Sequence, residues 1–197
     1  YYQGRIIENI RISNTVDAYA VNGWESMKLE NHSGIVDNYR FPKGDPEVMA
    51  RYNAPLYLAV KMNRKVVSTG DTTLVDTYIV NEKNLKGSYI LNLVAKDESG
   101  NVVASHKERV TVKGGNDYGQ CLQSGWAFIP KSKGYTRIEA SLLKGKTELV
   151  KGDDLLFAVE LNTTGITTQG SVADTTGALV NFLRGVGMEV PVYKGGT

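Results

Sequence analysis

The sequence predicts a mainly β chain: an immunoglobulin-like antiparallel β-sandwich, preceded by a short α/β barrel remnant and followed by the start of a β-α-β module. Three observations carry this. Residues 54–162 hold about eight short β-rich runs, separated by turn residues at roughly ten-residue spacing, which is the rhythm of a sandwich. Residues 1–53 read instead as helix, strand, loop, helix, the rhythm of an α/β barrel, and are too few to close a core alone. Residues 163–197 pass from a polar linker into strand, helix and strand.

Each element has its own signal. Ile6, Ile7, Ile10 and Ile12, with Tyr2, form a helix-like stripe that Ser13-Asn14-Thr15 ends. Residues 16–21 read as a strand, broken at Asn22-Gly23, with Trp24 and Glu25 directly after. Asp45 suits the N-cap of a helix over 46–52, with Pro46 at its first position. The sandwich opens at Leu56-Tyr57-Leu58-Ala59-Val60 and continues through 73–80 and 88–95. In the last of these, Tyr89, Leu91 and Leu93 share one face and Ile90, Asn92 and Val94 the other. Asp97-Glu98-Ser99-Gly100-Asn101 is a hairpin loop, and Val102-Val103 begins the return. Runs at 109–113, 126–129, 136–143 and 155–161 complete the set, without the Cys–Trp–Cys signature of antibody domains. After Asn162-Thr163-Thr164-Gly165, residues 171–174 read as a strand and 178–184 as a helix with Gly185 at its C-cap; 188–192 read as the next strand.

Composition excludes several classes of function. The 23 Lys and Arg against 21 Asp and Glu leave a net charge of +2, and the cations are scattered. Phosphate neutralisation needs them clustered, so no nucleic-acid partner is expected. No apolar run approaches the ~18 residues of a membrane span. The single Cys121 cannot form an internal disulfide and reads as a small hydrophobe; it leaves the compartment undecided. His32 and His106 lie far apart with no partner at metal spacing, so neither metal nor cofactor is expected. There is no G-x-S-x-G and no P-loop, and Gly185-Val186-Gly187 follows a helix rather than a strand. The chain starts at Tyr1-Tyr2 without a visible signal peptide and stops just after an apolar segment. Both ends look cut, as in an internal piece of a longer protein.

The chemistry concentrates near Trp24. An aromatic beside a carboxylate, just past the C-terminal end of a strand, suits a sugar site on a barrel rim. The ring stacks on the apolar face of a pyranose and Glu25 accepts hydrogen bonds from hydroxyls. His32, in the following loop, is within reach of the same ligand. The alternative is a core Trp beside a solvated Glu. Glycoside hydrolysis needs two carboxylates about 5–10 Å apart. Of Glu8, Asp17, Glu25, Glu30 and Asp37, only Glu25 falls at a strand tip, so no catalytic pair is assigned. Tyr39 beside Asp37 and Arg40 reads as a cluster that holds its loop.

These pieces, in this order, resemble the C-terminal part of family 2-type glycoside hydrolases, the β-galactosidase and β-glucuronidase relatives. The resemblance rests on Gly23-Trp24-Glu25, then Gly34-Ile35-Val36-Asp37 with Arg40 and Lys43, a helix, and Pro55 to Lys61 opening a sandwich. Asn81-Glu82 through Gly87-Ser88-Tyr89 resembles the immunoglobulin-like modules that follow the barrel. The resemblance implies that Trp24 floors the sugar subsite, that the parent hydrolyses O-glycosyl bonds of a carbohydrate substrate, and that it is periplasmic or secreted. It also implies that the rest of the parent chain supplies the catalytic glutamates, which nothing here matches. Two other readings stand beside it. One is a carbohydrate-binding sandwich using Tyr57, Tyr78, Tyr89, Tyr118, Trp126, Phe128 or Tyr135, with Trp126 the best candidate for an exposed ring; the other is a structural spacer.

Overall fold

The computed structural model describes residues 2–16, 18–20, 34–160, 170–193 and 195. They divide into two compact units, Tyr1–Ala158 and Val159–Thr197.

The first unit is built on eight strands among the described residues. β1 (Leu56–Met62), β3 (Thr73–Asn81) and β6 (Gly119–Phe128) form one sheet in the order β1-β3-β6. The other is ordered β2-β8-β7-β4-β5, from β2 (Val66–Ser68), β4 (Gly87–Lys96), β5 (Val102–Val112), β7 (Gly134–Lys144) and β8 (Thr147–Val159). The pairs β1–β3, β3–β6, β4–β5, β4–β7 and β7–β8 are antiparallel. β1-β3-β6 corresponds to A-B-E of the immunoglobulin order and β8-β7-β4 to G-F-C, so the expected sandwich is present.

Alternation fixes which face is inside. Tyr89, Leu91, Leu93 and Ala95 of β4 are buried, as are Ile138, Ala140 and Leu142 of β7. They meet Leu58, Val60, Val75, Ile79 and Phe128 from the facing sheet in one apolar core. β6 begins at Gly119 rather than at 126 and β8 at Thr147 rather than at 155, because their first halves are polar, and two further departures from the expected strands have simple causes. The runs at 102–103 and 109–113 are one strand, because the polar stretch between them still pairs with β4 on an edge strand whose outer face is wet. β2 has only three residues, too few to show a period.

β1 is buried on both faces, and two helices explain why. α1 (Tyr2–Ser13) and α2 (Pro46–Tyr52) lie on the outer face of the three-stranded sheet. Ile7 and Tyr52 pack there with Tyr57, Ala59 and Val80 in a second apolar cluster. The isoleucine stripe correctly marked a helix, but Ile6 is exposed, and Gly4, Arg5, Ile7, Glu8 and Arg11 are the buried positions. α2 begins as expected: the Asp45 carboxylate accepts from the Glu47 N–H at 2.9 Å, with Pro46 at the first position. The barrel strand expected over 16–21 has no strand pairing at Val16 or at residues 18–20. A barrel strand is held by neighbours on both sides, and the described residues supply none.

In the second unit, α3 (Ala178–Gly185) lies between two segments joined by a parallel bridge, Val172 to Val192, the start of a β-α-β arrangement. Asp174 caps the helix from a distance, accepting from the N–H groups of Thr176, Gly177 and Val180. Gly185 is the last helical residue rather than the cap. Gly187, at φ +80°, ends the helix in a Schellman arrangement, with Gly187 N–H donating to Arg184 O and Met188 N–H to Leu183 O.

Candidate functional site

Trp24, Glu25 and His32, the residues the sequence singled out, lie outside the described residues, as do Asp17 and Glu30. What is described are the two flanks of their segment. On the entering side, the Tyr19 hydroxyl donates to Asn53 Oδ1 at 2.5 Å. On the leaving side, residues 34–45 fold into a small braced loop in which Val36 bridges to Pro42, and Lys43 N–H donates to Ile35 O at 3.0 Å. Asp37 is the brace: its Oδ1 accepts from Tyr39 N–H at 2.8 Å and from Phe41 N–H at 2.9 Å. Asp37 therefore holds the loop, as its sequence neighbourhood suggested, while Tyr39 and Phe41 are exposed at its tip.

Glu8, another of the weighed carboxylates, is also structural. It is fully buried and accepts from Arg5 Nη1 at 3.0 and 3.1 Å, from the Tyr57 hydroxyl at 2.7 Å and from Lys61 Nζ at 3.2 Å. The other end of the Arg5 guanidinium reaches β8, donating to Asp153 O at 2.9 Å and Asp154 Oδ1 at 2.5 Å. Lys65 Nζ sits 2.6 Å from the second Asp154 oxygen. Burial works against the Arg5 charge, yet Glu8 and Asp154 outweigh it and hold the guanidinium above its ordinary value. Burial first, then the Glu8 charge, push the Tyr57 hydroxyl well above the usual phenol range, so it stays protonated and donates. Buried charges survive only when paired and hydrogen-bonded in this way. Arg11 fastens the far end of α1, donating to Tyr52 O at 2.5 Å, Ala54 O at 2.7 Å and Glu82 Oε1 at 2.7 Å. The sequence reading passed over this network. Its one signal is the charged spacing Arg5, Glu8, Arg11, which falls on a single helix face.

Of the sandwich aromatics, Tyr118 and Tyr135 are exposed, and most of the others turn inward. Tyr57, Tyr89 and Phe128 are buried. Trp126 is partly buried against the core, with its ring stacked on His106 at 6.1 Å and 20° and tilted on Phe128 at 6.0 Å. It closes the side of the sandwich between β5 and β6 rather than presenting a free face. Cys121 is exposed, and burial first, then Asp76, push its thiol up. Among the described residues no group of His, Cys, Asp and Glu is arranged to hold a metal ion, and no helix is long and apolar enough to cross a membrane.

No family model matches the sequence, and no curated protein matches it. Solved structures do. A glycosyl hydrolase family 2 member from Bacteroides cellulosilyticus matches with a TM-score of 0.41 and 16% identity over 52% of this chain. A β-glucuronidase from Bacteroides uniformis matches with a TM-score of 0.40 and 16% identity over 51%. The chain spans 15% and 13% of those two proteins' lengths. The CARDB domain of a Pyrococcus furiosus protein, in complex with di-metal ions, matches with a TM-score of 0.36 and 15% identity, over 53% of this chain and 87% of its own. The structural neighbours thus include family 2 glycosyl hydrolases, at low identity and over about half of this chain.

Proposed function

We propose that this chain is part of a multidomain glycoside hydrolase of the family 2 type, in which it contributes one wall of the sugar subsite and fixes that wall to a β-sandwich. In this reading residues 1–53 are the end of the barrel, and residues 163–197 open a further module. Trp24 stacks on the sugar ring, and Glu25 and His32 hydrogen-bond its hydroxyls. The remainder of the parent chain brings the catalytic acid and nucleophile.

One observation carries the reading: both flanks of the segment bearing Trp24 are fastened to one rigid body. α1, before it, is locked by Arg5, Glu8 and Arg11, and the braced loop after it leads directly into α2. Stacking and hydroxyl recognition need side chains held to within about half an ångström, and anchoring both ends of a loop on packed helices is how such tolerance is reached. The motif from Gly34 to Lys43, resembling the loop after the subsite Trp of family 2-type enzymes, supports the same reading.

The test is Trp24→Ala in the full-length protein, assayed on a panel of nitrophenyl glycosides. The expected result is a loss of kcat/KM of about 100-fold with the melting temperature unchanged. An unfolded variant or a fully active one refutes the role of Trp24. A non-catalytic structural sandwich is the second reading, favoured for residues 54–162 alone by the inward packing of Tyr57, Tyr89 and Phe128. It requires that the full-length protein cleave no glycoside.

A further inference from the structure

A groove of about 700 Å³ runs between the C-terminal end of α1, the segment that follows it, and two sandwich loops. Ile10, Arg11 and Asn14 come from α1 and its exit, Val16, Ala18 and Tyr19 from the segment, and Glu82 and Asn116 to Tyr118 from the loops.

The walls are preorganised. Asn14 and Gly119 exchange a reciprocal pair of hydrogen bonds, Asn14 Nδ2 to Gly119 O at 2.5 Å and Gly119 N–H to Asn14 Oδ1 at 2.7 Å. Asn14 is held at φ +54° to make them. Asn81 N–H donates to Tyr118 O at 2.8 Å, which fixes the loop from behind. Arg11 donates three of its five N–H groups, to Tyr52 O, Ala54 O and Glu82 Oε1. The side chains of Asn116 and Asp117, by contrast, carry no hydrogen bond or ion pair among the described residues and are exposed at the groove. Tyr118 is half exposed beside them, and Tyr19 is exposed across the groove.

The chemistry selects the ligand. Ile10, Val16, Ala18 and the Tyr118 ring offer apolar surface. Asp117 and the second Glu82 oxygen offer acceptors, and the Asn116 amide offers both donor and acceptor. The charges among the described lining residues are Arg11, already paired with Glu82, against Glu82 and Asp117, a net of −1 that disfavours a phosphate, sulfate or uronate. We propose that this groove is a binding site for a neutral sugar, whose C–H face lies on Tyr118 and whose hydroxyls donate to Asp117 and Glu82. The proposal is carried by residues of α1, its exit and the sandwich loops, and does not depend on Trp24, Glu25 or His32.

The experiment is an NMR titration of the 197-residue chain with cellobiose, lactose, digalacturonate and putrescine. Saturable shifts at Asn116, Asp117, Tyr118 and Gly119 with a neutral disaccharide are expected, and weaker or no response to the other two. Tyr118→Ala should weaken binding at least ten-fold, while Tyr118→Phe keeps it, because the ring face and not the hydroxyl makes the contact. Asp117→Asn, which removes a charged acceptor, should weaken it by about 10-fold or more. Both side chains are exposed, so the variants should keep the wild-type spectrum elsewhere. The proposal is overturned if no neutral disaccharide shifts the groove, if Tyr118→Ala binds normally, or if digalacturonate or putrescine binds more tightly. Glycoside turnover by the full-length protein is read separately. Turnover lost with groove binding intact refutes only the proposed hydrolase, and turnover kept without groove binding refutes only this site.

Discussion

The buried ion network under α1 makes the sharpest prediction. Arg5→Met keeps most of the side-chain volume and helix propensity while removing the guanidinium. The carboxylates of Glu8 and Asp154 then stay in place, both fully shielded from solvent, with Lys61 and Lys65 at the edge, the Tyr57 hydroxyl on Glu8 and the Leu155 N–H on Asp154. Removing one partner of a buried pair costs about 3–5 kcal/mol, because the surviving charge is uncompensated. For a unit of this size each kcal/mol lowers the melting temperature by about 2–4 °C, so the expected drop is about 6–20 °C. The assay is thermal unfolding followed by circular dichroism, with Arg64→Met as the control. Arg64 meets Asp71 at 3.7 Å with both side chains half exposed, and its removal should cost under about 1 kcal/mol. Adding Asp154→Asn to Arg5→Met should recover part of the loss, with a coupling of about 0.5–3 kcal/mol. If Arg5→Met melts within the range of the Arg64 control, or the two changes simply add, the network does not hold α1 to the sandwich.

Other outcomes follow from single contacts. A Cβ on Gly152 would lie 1.9 Å from the Leu58 carbonyl oxygen of the facing sheet, and backbone there cannot step aside cheaply; Gly152→Ala should cost about 1–3 kcal/mol or more, measured by urea denaturation. Tyr57→Phe removes a hydrogen bond to a buried carboxylate and should cost about 1.5–3 kcal/mol by the same measurement. The Cys121 thiol, pushed up by burial and by Asp76, should be alkylated by iodoacetamide with a pH midpoint above that of a free thiol, and Asp76→Asn should lower it. The Asp174 carboxylate is held below the usual range by the N–H of Val180 and its other cap bonds. Its contribution to α3 is therefore present above the ordinary carboxylate pKa and lost as pH falls through the lowered folded value. The Val180 amide should lose protection from exchange over that acid window, and in Asp174→Asn the loss should no longer depend on pH.

The sandwich was legible because its evidence is local. Alternation in β4 and β7, the Asp97 to Asn101 turn and the turn spacing are each readable within ten or so residues, and the structure places them as read. Failures came where the local signal is thin: three residues of β2, the polar first halves of β6 and β8, and the polar middle of β5, whose pairing is set by its neighbour rather than by its own side chains. Of the candidate site, the brace at Asp37 and the cap at Asp45 could be read from spacing. The groove could not, because Asn14, Glu82 and Asp117 meet only through the packing of α1 on the sandwich.

α1 shows why a hydrophobic reading of the sequence understates such a joint. An amphipathic helix is recognised by apolar residues on its inner face, yet the positions this helix buries include Gly4, Arg5, Glu8 and Arg11. Gly4 is there because any Cβ would fall 2.1 Å from the Tyr52 ring. Arg5 is there because its partner, Asp154, lies 149 positions away on the last strand of the sandwich. A charge stripe read alone implies a solvated face, and only the paired carboxylate turns it into a seam. Such a seam is directional where an apolar one is not: the guanidinium must meet Glu8 and Asp154 together, so α1 has one register on the sheet. The segment leaving α1 therefore departs from a fixed point on the sandwich.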